Sequence, residues 1–173
     1  MNISILLHEA LTASEPSIDE LTSTIHSFTE ITDDMVPFIV SSFGYDGWGW
    51  NEDKDAIDDL TEHLRIYRQL PDPVTLYRVV GVKNKKMINT KDMGSHFVLD
   101  SREIDDNFLW FIEYESHNDE DAIPYIIQVS APLSEIDIWE TIEHHLCHHE
   151  ENEINLKNNG KGAKFIKAYR YDS

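Results

Sequence analysis

The sequence predicts an α+β fold, with helices ahead of a β-rich second half. Three observations predict it. Apolar residues early in the chain recur at helical spacing, as in Ile18, Leu21, Ile25 and Phe28. From Val74 onward the period falls to two and β-formers dominate, as in Val74-Thr75-Leu76-Tyr77-Arg78-Val79-Val80. Pro71-Asp72-Pro73 separates the two regimes. At 173 residues the chain is expected to be one domain with a real core, a helical subregion over 1–72 and a β-rich region over 73–173.

In order, Ile3, Leu6, Leu7 and Leu11 have helical spacing, and Ser17-Ile18-Asp19-Glu20 fits a capping box that starts the next helix. Met35 to Phe43 is a shorter apolar segment with Pro37 in its first turn. Gly44-Tyr45-Asp46-Gly47-Trp48-Gly49-Trp50 is too rich in glycine for regular structure. Residues 54–70 form an amphipathic helix with Ile57, Leu60, Leu64 and Tyr67 on one stripe. The first strand ends at Gly81, and a second, short one runs from Ser95 to Leu99. Asp100 to Tyr114 reads as a short helix at its polar start or a strand at its aromatic end. Pro124 to Ser130 is a strand, and Ile136 to His148 is partly helical. Glu151-Asn152-Glu153-Ile154-Asn155-Leu156 and Ala163 to Tyr171 are strands, expected to pair as a hairpin across Asn158-Asn159-Gly160-Lys161-Gly162.

The formal net charge is −19, which opposes nonspecific binding to nucleic acid or to an anionic membrane. It favours a positively charged protein partner. One cysteine, Cys147, excludes an internal disulfide framework and suits a reducing compartment. No stretch is apolar enough to span a bilayer, and Met1-Asn2-Ile3-Ser4 lacks the basic start of a secretory signal. A soluble cytoplasmic protein is expected, in its own cell or in a host.

Read as a strand, residues 151–156 place Glu151, Glu153 and Asn155 on one face and Ile154 and Leu156 on the other. Two like charges so close raise each other's pKa, which is the arrangement of a catalytic carboxylate pair as well as of a solvated edge. Arg78 sits mid-strand among apolar neighbours and needs an anionic partner, either a protein carboxylate or a bound phosphate.

These pieces, in this order, resemble the arginine-type mono-ADP-ribosyltransferases, a family marked by an Arg, a Ser-rich strand and a Glu-x-Glu. The matching pieces are Leu76-Tyr77-Arg78-Val79-Val80, then Gly94-Ser95-His96-Phe97-Val98-Leu99-Asp100-Ser101, then Glu151-Asn152-Glu153. No Ser-Thr-Ser stands in the middle piece, where Ser95 and Ser101 are the available hydroxyls. The resemblance implies N-terminal helices packed on a split β-sandwich whose cleft binds NAD⁺. It assigns Arg78 to the phosphates and Ser95, Phe97 and Ser101 to the cofactor side. Glu153 would meet the nicotinamide ribose and stabilise an oxocarbenium-like transition state. Glu151 would orient and deprotonate the acceptor, an arginine on a basic protein. NAD⁺ hydrolysis is a fallback within the class, and a phage or toxin-like effector is the implied setting.

Other readings attach to the same chain. His144, Cys147 and His148 stand at i, i+3, i+4 and would gather three zinc ligands on a helix. Asn51, Asp53, Asp55, Asp59 and Glu62 fall at the offsets of a calcium loop, although Ala56 replaces its glycine. An acidic protein of this size is also suited to imitate DNA and occupy a nucleic-acid-binding protein.

Overall fold

The computed structural model describes residues 28–42, 53–104, 122–147 and 152–171. The expected helices ahead of residue 28, the Gly44–Trp50 segment, most of Asp100–Tyr114, and His148 to Glu151 lie wholly or partly outside them. The protein is α+β: the described residues form a few helices and a five-stranded antiparallel sheet. It divides into two compact units. The first comprises Met1–Leu70 with Ile138–Glu150, the second Pro71–Asp137 with Glu151–Ser173. The composition shift at Pro71 marks the start of the second unit, but the late helical segment belongs to the first.

In the first unit a 3₁₀ turn, Asp33–Met35, leads into α1, Val36–Ser42. α2 runs from Asp53 to Tyr67 and α3 from Ile138 to Cys147. α2 buries Ala56, Leu60, Leu64 and Tyr67, each at most 2% exposed; the last three belong to the stripe read from sequence, while Ile57 is only half-buried and Ala56 takes its place in the core. Ile31, Met35, Val36, Ile39, Ile142 and Leu146 are also core residues. α2 is continuous, which overturns the calcium-loop reading. A helix spreads Asp55, Asp59 and Glu62 along its surface and cannot wrap them round one ion.

In the second unit β1 is Val74–Val82, β2 His96–Val98, β3 Ile123–Ala131, β4 Glu153–Asn155 and β5 Lys164–Arg170. Their order is β4-β2-β1-β3-β5. β1 and β3 pair over their full length, from Val74↔Ala131 to Val82↔Ile123, so Gly81 does not end the first strand. Register fixes the faces. Leu76, Ile127, Val129, Phe97 and Ile154 fill one side, each at most 1% exposed. Val79, Val98, Ile104 and Ile126 cluster on the other, with Tyr77 and Tyr171 against them.

The expected hairpin of the last two strands does not form: β4 and β5 are the opposite edges of the sheet. Their connection is committed elsewhere. Asn158 and Asn159 are left-handed, at φ 51° and 55°, inside a 3₁₀ segment, Lys157–Gly160. The Asn159 carbonyl accepts from the Met93 N–H, and Lys157 Nζ donates to the Ser134 carbonyl. Those contacts carry the chain across the sheet instead of folding it back.

Candidate functional site

β4 is only three residues long, and its neighbours position it. β2 pairs with it through His96↔Asn155, Phe97↔Ile154 and Val98↔Glu153. On its other side Ile136 bridges Leu156, and the Asp137 N–H donates to the Asn155 carbonyl at 2.8 Å. The Leu156 N–H donates to the Ser95 carbonyl, also at 2.8 Å. Ile154 and Leu156 enter the core as the alternation predicts, and Glu153 and Asn155 lie on the opposite face.

Glu153 is nevertheless buried. Its side chain is 8% exposed, and its Oε2 lies 2.9 Å from His96 Nδ1. A carboxylate in its ionised form only accepts, so in that form Glu153 would take the hydrogen bond from Nδ1–H and fix the imidazole tautomer. The His96 side chain is 43% exposed. A buried carboxylate thus holds a solvent-reaching imidazole, which is the geometry of a general acid–base pair. His96 belongs to the Gly-Ser-His-Phe segment but was not singled out by sequence, since a lone histidine on a three-residue strand carries no local signal.

Arg78 stands elsewhere. Tyr77 pairs with Val98, so Tyr77 shares the face of His96 and Glu153, and Arg78 points to the other face. There its Nη1 donates to the His96 backbone carbonyl at 3.0 Å. The guanidinium lies on Gly94, where a Cβ would come within 2.7 Å of Arg78 Cζ. The expected convergence on one crevice runs against the register, which sets Arg78 and Glu153 on opposite faces of the sheet, and one contact of the guanidinium is to a backbone carbonyl. Phe97 is 1% exposed and packs in the core. Ser95 is half-buried, and Ser101 opens a 3₁₀ turn, Ser101–Glu103, after β2. Glu151 lies outside the described residues.

The expected zinc set also changes. α3 buries Ile138, Thr141, Ile142, His145 and Leu146, which turns His145 inward. Cys147 is exposed, and His148 is outside the described residues. Partial desolvation of the thiol, with Glu143 nearby, pushes the Cys147 pKa up, away from a reactive or metal-binding thiolate. No helix among the described residues is long and apolar enough to cross a membrane. No family model, curated protein or solved structure matches this chain.

Proposed function

We propose that the chain is an enzyme that works by proton transfer at His96, held by Glu153, and that its reaction is ADP-ribosyl transfer from NAD⁺ to a basic protein. One observation carries the acid–base part: the 2.9 Å contact between a buried carboxylate and a half-exposed imidazole on adjacent short strands. The NAD⁺ part rests on the resemblance carried by the order of the Arg strand, the Gly-Ser-His-Phe segment and Glu-x-Glu, as does an ADP-ribosyltransferase-like split β-sandwich. The net charge of −19 supports an arginine-bearing acceptor.

In this reading the ribose C1′–N bond to nicotinamide breaks, nicotinamide departs with the bonding pair, the guanidinium nitrogen bonds to C1′, and His96 takes the proton that nitrogen loses. The negative charge of Glu153 stabilises the imidazolium as it forms and favours the cationic sugar of the transition state. Arg78, on the opposite face by register, braces the backbone at the start of β2.

The test is NAD⁺ labelled in the adenosine half, incubated with arginine-rich protein acceptors. Wild type is expected to transfer label. Glu153→Gln and His96→Ala are expected to lose on the order of a hundredfold or more in rate. Arg78→Met is expected to keep its rate. Folded wild type that neither consumes NAD⁺ nor transfers label overturns the reading. The high negative charge favours a second reading, an acidic protein that occupies a nucleic-acid-binding partner. That reading predicts competition with DNA for such a partner and indifference to NAD⁺.

A further inference from the structure

A second constellation lies wholly within the helical unit. Asp59 and His63 are one turn apart on α2, the i, i+4 spacing that places two side chains on one face. His145 comes from α3. Asp59 Oδ2 lies 2.5 Å from His145 Nε2 and 3.6 Å from His63 Nδ1. The two imidazole rings are 3.8 Å apart between centroids. One donor atom from each of the three residues falls within 4.8 Å of both others. The His145 side chain is 0% exposed, while those of His63 and Asp59 are 18% and 34% exposed.

An ion pair between Asp59 and His145 accounts for part of this arrangement. A second imidazole, that of His63, stands at the same place with its ring tilted 42° against the first. Two imidazoles and a carboxylate form a donor set that zinc prefers, with metal–donor distances of about 2.0–2.2 Å. Donors at that distance around a tetrahedral ion sit about 3.3 Å apart, so modest side-chain rotations bring all three into place. His63 Nδ1 also lies 3.1 Å from the Asp59 carbonyl; a metal bound through Nε2 would keep that contact, and one bound through Nδ1 would replace it.

We propose that Asp59, His63 and His145 form a three-ligand zinc site joining α2 to α3, with a fourth position open to water through the exposed edge of Asp59. The site is independent of the His96–Glu153 reading. Its ligands differ from the His144, Cys147 and His148 set that spacing alone picks out. The ion would tie together two helices whose ligands stand 86 positions apart in sequence.

The experiment uses the full chain, purified without a histidine tag and stripped with a chelator. Zinc is titrated by calorimetry and by thermal denaturation, and cobalt is added as a spectroscopic stand-in. The expected result is one zinc per chain, a rise in Tm on binding, and the visible absorption of low-symmetry, four-coordinate cobalt. Asp59→Asn and His63→Ala are expected to weaken zinc at least tenfold and abolish the cobalt band. His148→Ala/His149→Ala is expected to keep both. His63 is partly exposed, so His63→Ala serves where a His145 variant fails to fold. Absence of a Tm shift and cobalt band in wild type overturns the site. So does zinc affinity unchanged in His63→Ala but lost in His148→Ala/His149→Ala.

Discussion

Gly94 carries two constraints at once. Its φ of +83° is a conformation that side-chain-bearing residues rarely adopt, and its missing Cβ leaves the space that the Arg78 guanidinium occupies. Gly94→Ala is therefore expected to destabilise the fold by about 1–3 kcal/mol, read as a lower urea midpoint. The two costs separate in a double-mutant cycle. In an Arg78→Met background the steric part disappears and the backbone part remains, so Gly94→Ala should cost less there than in wild type. Equal costs in both backgrounds would show that Arg78 does not rest on Gly94. That Arg78 needs an acceptor was legible from its place among apolar residues. Its choice of a main-chain carbonyl was not, because the acceptor lies 18 positions away and is set by strand register.

Elements were legible where a periodic pattern ran long enough to be read. α2 and the strands β1, β3 and β5 follow from their apolar spacing and β-formers. The pairing of β1 with β2 did not follow, and it decides the site: a shift of one residue from Tyr77↔Val98 would put Arg78 on the Glu153 face. The inward turn of His145 was likewise hidden. The buried stripe of α3 determines it, and its partners come from α2. Asn158 and Asn159 mark a turn in the sequence, but only their long-range contacts show that the turn leads away from a hairpin. Among short elements, the 3₁₀ turn Ser101–Glu103 is capped by Asp100, whose side chain accepts from the Arg102 backbone and pairs with its guanidinium. The hydrogen bonds from Arg102 lower the Asp100 pKa to about 2. A lowered folded-state pKa contributes stability above the unfolded value of 3.8, and that contribution is lost as pH falls through about 2. Arg102 is exposed and Asp100 partly so, and solvent keeps the effect local. Arg102→Ala should move the Asp100 titration, followed by carboxyl NMR, up toward 3.8. An unmoved titration would discount the pairing.

At the scale of the whole chain, 33 acidic residues face 14 lysines and arginines. That excess destabilises a compact state by self-repulsion, and salt screens it over about 10 Å at 0.1 M. Tm is expected to rise as sodium chloride goes from about 10 mM to 0.5 M, where the screening length becomes shorter than most distances between surface charges. A flat or falling Tm would place the acidic groups in pairs that already offset one another. The sheet has its own use of charge: Lys164, Lys167 and Arg170 are exposed along the edge strand β5, where they discourage pairing with another chain.

The membership of residues 138–150 in the first unit bears on how the chain is made. A ribosome releases the first 70 residues well before α3 exists. His145, Ile142 and Leu146, which are buried in the finished protein, arrive only after β1 and β3 have been synthesised. The helical unit therefore waits for most of the translation product, and a fragment cut at the Pro71 boundary would lack the helix that completes it.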